Sequence, residues 1–193
     1  MDFVIYDTEY TTWEGAMARK WLGDNEYKEI IQIGALKVSF PDFTVQDSLK
    51  VYIKPQKNPM LSDYCKKLTG ISQAEIDGGV TFTQGLSEFL RFCDGCLAGS
   101  YGNDGCVLSE NALINREDPQ GVYGAYFINL AYWVKQFGKQ TEGLNSGKLW
   151  TLVPENERKF DKIREHDALN DCYSILEMLS YMHKLGYNLP FQK

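Results

Sequence analysis

The sequence predicts an α/β fold in which a mixed β-sheet carries helices on its faces. Three strand-like runs come first, and segments with helical and strand-like patterns then alternate along the chain. An antiparallel start followed by such alternation gives a sheet of mixed strand direction that is covered by helices. With 44% hydrophobic residues among 193, the chain can bury a core of ordinary size, and we expect one domain over residues 1–193.

The first third of the chain is predicted to form three strands. Phe3 to Glu9 is short and rich in apolar residues, Glu29 to Phe40 is rich in β-branched residues, and Thr44 to Lys54 partly alternates. Pro41-Asp42 supplies a turn between the second and third runs. These three runs therefore predict an antiparallel meander.

The remaining sequence predicts helices that alternate with short strands. Apolar residues recur at helical spacing from Phe82 to Cys93, and again in the last helix, which Gly186 ends. We expect a helix over 82–93, a strand over 96–101, a helix over 105–115, a strand over 125–129, a helix over 131–137 and a long helix over 167–185.

The charge balance restricts the kind of partner. A net charge of −6 and a pI of about 5.0 argue against a protein that grips long duplexes through many phosphate contacts. An enzyme that holds only a few nucleotides at a chain end remains compatible with this charge. The sequence shows neither a signal peptide at its start nor an apolar run long enough to span a bilayer, so no membrane partner is expected.

The cysteines indicate a reducing, cytoplasmic location. They are five in number, odd and scattered, which does not suit a disulfide framework. Cys93 and Cys96 form a single CxxC, for which burial as small apolar side chains and a zinc or redox role are both open, the former being favoured.

Asp7 and Glu9 form the first candidate site. Two residues apart on a strand, they point to the same face, at the end of an apolar run where open α/β sheets place their sites. Two partly buried carboxylates repel each other, and a divalent cation such as Mg²⁺ or Mn²⁺ relieves the repulsion. Solvated acids at an exposed strand end are the alternative.

Two further stretches carry candidate residues. His166 precedes the last helix, where it could deprotonate a water molecule near neutral pH, and Asp171 would project from the first turns of that helix. Asp104 follows a strand that ends in small residues, although it could equally be a turn or cap residue. His166 could likewise be a histidine at the start of the helix that has no catalytic role. Together, four acids at three element ends can collect two cations about 4 Å apart, the arrangement that supports phosphodiester displacement.

These residues resemble the motifs of the DEDDh 3′→5′ exonucleases, the group that contains the bacterial polymerase proofreading subunit and RNA-trimming enzymes. Asp7-Thr8-Glu9 is similar to the first motif, DxE, and Tyr101-Gly102-Asn103-Asp104 resembles the second. The stretch from His166 to Asp171 is similar to the third, HxALxDA, with Cys172 in the last place. Two supporting stretches are Ile31 to Ala35 and Leu68 to Ser72, and the matches run in order from about residue 3 to residue 180.

The second motif departs from the family pattern. RNA-trimming members often carry WGxxD, and strict register would put Gly105 in the position of the acid. We still expect Asp104 to be the ligand, since no other acid lies close by on the expected strand end. Asp94 precedes that strand and would lie at the wrong edge.

The resemblance implies a ribonuclease H-like fold with three antiparallel strands and two more added in parallel. It also implies Asp7, Glu9, Asp104 and Asp171 as ligands of two divalent ions, Mg²⁺ or Mn²⁺, and His166 as the general base. Tyr10 and Trp13 would contact the terminal sugar or base, although Trp13 and Trp21 could instead pack their loop onto the body. Ile71 would wedge against the terminal base.

The expected activity is metal-dependent removal of nucleoside 5′-monophosphates from the free 3′ end of single-stranded or short RNA or DNA. A non-catalytic regulatory or adaptor protein with the same fold is the alternative, and a broken acid set would be its signature. Cleavage of small dinucleotides by the same site is a third interpretation. Family members of this size are often homodimers or polymerase attachments, so either assembly is possible here.

Overall fold

The protein is described here by a computed structural model covering residues 1–117, 127–160 and 162–190. Its centre is a five-stranded sheet in the order β3-β2-β1-β4-β5. The first three strands pair antiparallel, and β4 and β5 join them in parallel. This confirms the predicted mixed sheet of the ribonuclease H-like type. The strands are β1 (Asp2–Tyr10), β2 (Ile30–Ser39), β3 (Thr44–Tyr52), β4 (Leu97–Ser100) and β5 (Phe127–Asn129). Residues 125 and 126 of the predicted fifth strand lie outside the described residues.

Six α-helices are described besides several short 3-10 turns. They are α1 (Asp63–Thr69), α2 (Gln73–Asp77), α3 (Phe82–Phe92), α4 (Asp104–Ile114), α5 (Ala131–Val134) and α6 (Ala168–Lys184). Helices α3, α4 and α6 lie within a residue or two of their predicted bounds. The helix expected over 131–137 is one α-helical turn that continues as a 3-10 turn over Lys135–Phe137. Within the described ranges, no helix combines the length and apolarity needed to cross a bilayer.

Helices α1 and α2 were not predicted, because both are too short to show a periodic pattern. Side-chain caps define them instead. The Ser62 hydroxyl accepts the backbone N–H of Cys65 at the start of α1, and Ser72 and Glu75 form a reciprocal capping box at the start of α2.

Alternation along β1 divides the core into two layers. Phe3 and Ile5 pack against the apolar face of α6, whereas Val4 and Tyr6 pack in the cluster that includes α3 and α4. The expectation of helices on both faces of the sheet is therefore confirmed. By the same alternation, Asp7 and Glu9 belong to the α6 face, and Thr8 and Tyr10 belong to the α4 face.

Gly34 on β2 lets the first turn of α6 approach the sheet closely. A Cβ atom at this position would lie 2.3 Å from the backbone nitrogen of Leu169 and 2.4 Å from the carbonyl carbon of Ala168. The Ala168 N–H donates to Gln32 Oε1 at 2.7 Å, which fixes the helix start over β2. Because Gly34 pairs with Asp7 across the sheet, this contact brings the start of α6 over the acids of β1.

Substitution of Gly34 by alanine tests this approach. The added methyl would meet backbone atoms, which cannot yield as a flexible side chain can, so we expect the free energy of unfolding to fall by about 2 kcal/mol or more. Urea denaturation measures the change. Gly78→Ala is the matched control: Gly78 has a helical φ of −84°, and its Cβ would lie 3.4 Å from the nearest atom, so it should change stability by less than about 1 kcal/mol. Equal stability of the two variants would contradict the close approach.

Candidate metal centre

Three carboxylates meet at the carboxyl end of β1. Asp7 and Glu9 come from β1, and Asp171 comes from the first turn of α6. Each contributes a carboxylate oxygen to a group in which all three atoms lie within 4.8 Å of one another. All three residues are buried, with exposed fractions between 2% and 8%. The structure thus brings together three of the four acids that the sequence singled out as ligands.

The fourth acid, Asp104, approaches the same edge from the α4 side. It is buried at the first position of α4, and the Thr8 hydroxyl donates to its Oδ1 at 2.6 Å. It lies outside the three-acid group but close enough to raise the pKa of Asp7. Gly105, the alternative in strict register, lies against Tyr6 and Phe127 instead. The position of Asp104 therefore suits an outer member of the acid cluster.

Burial makes these acids hard to ionise together. It raises the pKa of Asp7 well above its usual range, and the nearby Asp104 and Asp171 raise it further. Burial likewise raises the pKa of Glu9, with Asp171 as the largest charged contributor. The pKa of Asp171 rises to about 7, again mainly through burial. Protons or a divalent cation would relieve this repulsion.

The surroundings of Asp171 fit a bound cation. Its Oδ2 accepts from the Ser146 hydroxyl at 3.1 Å, whereas its Oδ1 is buried without a hydrogen-bond partner among the described residues. Gly147 leaves room beside this atom, since a Cβ there would lie 2.5 Å from Asp171 Oδ1. An unpaired carboxylate oxygen beside two other carboxylates is a hard-oxygen site that suits Mg²⁺ or Mn²⁺.

His166 lies on the loop just before α6, as expected. Its backbone has a φ of +59°, and the next residue, Asp167, caps the helix by accepting the Asn170 N–H at 3.2 Å. Lys50 on β3 donates to the other oxygen of Asp167 at 2.5 Å, which ties the loop to the sheet. Burial lowers the pKa of His166, so its imidazole is neutral and able to accept a proton near pH 7.

The acids and His166 line one cavity of about 730 Å³, named here the acidic cavity. Tyr10 and Trp13, the residues expected to contact substrate, line it as well. Thr8, Trp21 and Leu68, which belong to stretches already singled out, line it too. Further lining residues carried no signal in the sequence: Met17, Lys28, Tyr64, Asn145 and Ser146. Ser146 belongs to a 3-10 segment, Ser146–Leu152, and no sequence pattern connects it with the distant Asp171.

The segment between β1 and β2 forms one wall of the acidic cavity. Hydrogen bonds close its base: Thr11 N–H donates to the Glu29 carbonyl at 2.8 Å, and the Thr11 hydroxyl donates to the Tyr27 carbonyl at 2.5 Å. Trp21 Nε1 donates to the Thr11 carbonyl at 3.0 Å. Trp21 therefore holds the loop against the end of β1, where its ring also meets that of Tyr10, and it lines the cavity as well.

Ile71 does not reach the acidic cavity. Its side chain is 3% exposed and belongs to a small core cluster with Ile31, Leu61, Cys65 and Ile76. Because the α1–α2 connection turns this residue inward, contact with a terminal base does not fit its position. Tyr64 and Leu68 of α1 line that side of the cavity instead.

Comparison with known families gives a match over most of the chain. The model of the exonuclease family RNase_T matches residues 4–179. Among curated proteins, ERI1 exoribonuclease 2 of Xenopus laevis is 34% identical over 86 residues, 45% of this chain and 12% of that protein. The 3′-5′ exonuclease eri1 of Schizosaccharomyces pombe is 36% identical over 89 residues, 46% of this chain and 28% of that protein. The matched segments thus span less than a third of these relatives.

Solved structures share the fold at lower sequence identity. The nuclease domain of 3′hExo, described as a DEDDh family member bound to rAMP, superposes with a TM-score of 0.79 at 21% identity, covering 100% of this chain and 96% of that one. E. coli Exonuclease I in complex with a dT13 oligonucleotide gives 0.64 at 16% identity, covering 94% and 40%. These likenesses support the ribonuclease H-like fold of this chain.

The raised pKa of Asp171 predicts how stability depends on pH without metal. The folded chain holds the proton more tightly than the unfolded chain, so stability falls as pH rises from about 4 to about 7. Between pH 5 and 8 in chelator, we expect wild type to lose about 2 kcal/mol more than Asp171→Asn. Urea midpoints measure this difference, and Mn²⁺ should restore the wild type at pH 8. Parallel pH curves for the two proteins would contradict the assigned repulsion.

Proposed function

Because the chain belongs to the RNase_T exonuclease family, we propose that it is a 3′→5′ exonuclease that depends on divalent metal ions. The observation that carries the proposal is the meeting of Asp7, Glu9 and Asp171, with Asp104 and His166, in the acidic cavity. An adaptor that had lost catalysis would be expected to lack part of this set, and here every position is filled. The intact set favours an enzyme.

Asp7, Glu9 and Asp171 would bind one divalent cation, Mg²⁺ or Mn²⁺, and Asp104 would be a ligand of a second cation. When bound, such ions polarise the phosphate and stabilise charge on the leaving oxygen. His166 accepts a proton from the attacking water as the new O–P bond forms and the bond to the 3′ oxygen breaks. The leaving 3′ oxygen takes a proton from solvent, so that one nucleoside 5′-monophosphate and a strand shorter by one nucleotide result.

The substrate proposed is the free 3′ end of a single-stranded or short nucleic acid. Tyr10 and Trp13 line the cavity and would contact the terminal sugar or base, since an exposed aromatic ring can stack on any base. The net charge of −6 favours binding at an end over binding along a duplex. We include both RNA and DNA, because the structural relatives carry a ribonucleotide in one case and a DNA strand in the other.

The proposal extends to location, assembly and domain organisation. A cytoplasmic location would suit the odd, scattered cysteines. Self-association or attachment to a polymerase would suit the family resemblance, and one domain over residues 1–193 would suit the length and composition.

The activity is tested with matched oligonucleotides labelled at the 5′ or the 3′ end. With Mg²⁺ or Mn²⁺, the 5′-labelled strand should shorten as a ladder of single steps, and the 3′ label should leave at once as a mononucleotide. Chelator should stop both reactions. If no metal supports stepwise loss from the 3′ end, the proposed function fails.

Removal of the His166 imidazole should slow turnover without removing the metal. Proton transfer by a positioned side chain contributes about 10²–10⁴-fold, so kcat of His166→Ala should fall within that range. Calorimetric titration with Mn²⁺ should give an affinity close to that of wild type. A variant with unchanged kcat would contradict the role of His166 as the base.

Removal of Asp7 should weaken the metal itself. Asp7→Ala leaves two of the three clustered carboxylates, so we expect Mn²⁺ affinity to fall at least about tenfold, the loss of one charged oxygen ligand. Asp94→Ala removes the same charge from an exposed turn and serves as the control. Equal affinity of wild type and Asp7→Ala would argue against a metal centre on β1.

A further inference from the structure

Lys28 brings a positive charge to a cavity dominated by acids. Among the described residues that line the acidic cavity, it is the only Lys or Arg. It is half-buried. Burial raises the pKa of the outer acid, Asp104, and the charge of the nearby Lys28 offsets part of that rise. The acids that act most on its charge are Glu110, which lines a neighbouring hollow, and Asp104 of the candidate metal centre. Among the described residues Lys28 forms no salt bridge with either acid, so its ammonium can bind an anionic group of a ligand.

The backbone around Lys28 is fixed from two sides. Asn111 of α4 donates to the Lys28 carbonyl at 3.0 Å and accepts the Ile30 N–H at 2.8 Å. The buried carboxylate of Glu29 accepts the backbone N–H groups of Gln56, Lys57 and Asn58 at 2.7 to 3.0 Å. Because these bonds hold the main chain in place, little backbone freedom is lost when the side chain binds a ligand.

Two aromatic rings hold the side chain. The Lys28 ammonium lies 4.2 Å from the centre of the Tyr10 ring and 5.0 Å from that of the Trp21 ring. The two rings meet edge to face at 5.4 Å. Such contacts attract a cation without neutralising its charge, so the ammonium stays available to an anion.

The position of Lys28 selects the part of the substrate that it can reach. His166 lies at the start of α6 on one face of the sheet, whereas Lys28 contacts α4 on the opposite face. In an in-line displacement the attacking water and the leaving 3′ oxygen lie on opposite sides of the phosphorus. With the water on the His166 side, the leaving oxygen and the retained strand point toward Lys28.

A second hollow continues beyond Lys28. It has a volume of about 500 Å³, shares Lys28 and Trp21 with the acidic cavity, and adds Lys20 and Tyr27 to its lining. Two acids also line it, Glu26 and Glu110, and Glu26 is engaged by Arg19. This hollow gives the upstream strand a path between α4 and the segment that connects β1 to β2.

Building on the proposed function, we propose that Lys28 binds the backbone phosphate of the retained strand that lies one nucleotide upstream of the scissile phosphate. The Lys28 ammonium donates to this phosphate from its place beside the Tyr10 and Trp21 rings. Substrates that carry a phosphate at this place are then favoured over those that lack it. The segment between β1 and β2 becomes a determinant of minimum substrate length.

The test compares two dinucleotides that differ in one group. One carries a 5′-hydroxyl and so has only the scissile phosphate, and the other carries a 5′-phosphate at the position assigned to Lys28. For wild type, kcat/KM should be about tenfold higher with the 5′-phosphate, as expected for one charge-assisted contact. In Lys28→Gln this ratio should fall to near one, and in Lys28→Arg it should be largely kept. Lys54→Gln, which removes an exposed charge elsewhere, should keep the wild-type ratio.

The outcomes separate this inference from the proposed function. If wild type cleaves neither these dinucleotides nor longer strands, the proposed function fails. If wild type cleaves but gains nothing from the 5′-phosphate, or if Lys28→Gln lowers kcat/KM equally for both substrates, the inference alone is overturned.

A second readout is salt dependence: the slope of log kcat/KM against log salt for the 5′-phosphorylated substrate should be smaller by ~0.7 in Lys28→Gln. Urea denaturation confirms that the compared variants are equally folded.

Discussion

Mutual repulsion among buried carboxylates is the interaction to which the rest of the structure is adapted. Asp7, Glu9 and Asp171 lie within a few ångströms of each other, away from solvent, and Asp104 adds a further negative charge nearby. Water would screen this repulsion, but burial prevents it. Favourable packing elsewhere in the fold therefore holds together groups that would otherwise separate. Binding of a cation would relieve their electrostatic repulsion and so stabilise the fold.

The packing that resists this repulsion is concentrated at the start of α6. Gly34 lets the helix sit directly on β2, Gln32 binds its first N–H group, and the Lys50–Asp167 pair fixes the preceding loop. Below this point the apolar residues of β1 and α6 form one continuous layer. Stability and site geometry thus depend on the same contact, so a change that loosens α6 would also disperse the acids.

Much of this arrangement could be predicted from the sequence, because it depends on local periodicity and ordered motifs. The spacing of Asp7 and Glu9 indicated their common face, and the antiparallel start and mixed sheet followed from the pattern of elements. Other features depend on contacts between distant segments. Ser146 reaches Asp171 from a 3-10 segment, and the caps of α1 and α2 turn Ile71 into the core. Lys28 carried no signal, since its position depends on bonds to α4 and to residues 56–58.

Side chains of β1 alternate between the two faces of the sheet, so the face that each residue occupies depends on its position along the strand. Odd positions from Phe3 to Glu9 face α6 and even positions face α4, so one inserted or deleted residue would exchange the two sets and turn the acids away from their partners. The segment between β1 and β2 begins after the last acid, so a change in its length does not alter which face each side chain of β1 occupies. The length of this wall of the cavity can therefore change without moving the acids out of register with their partners.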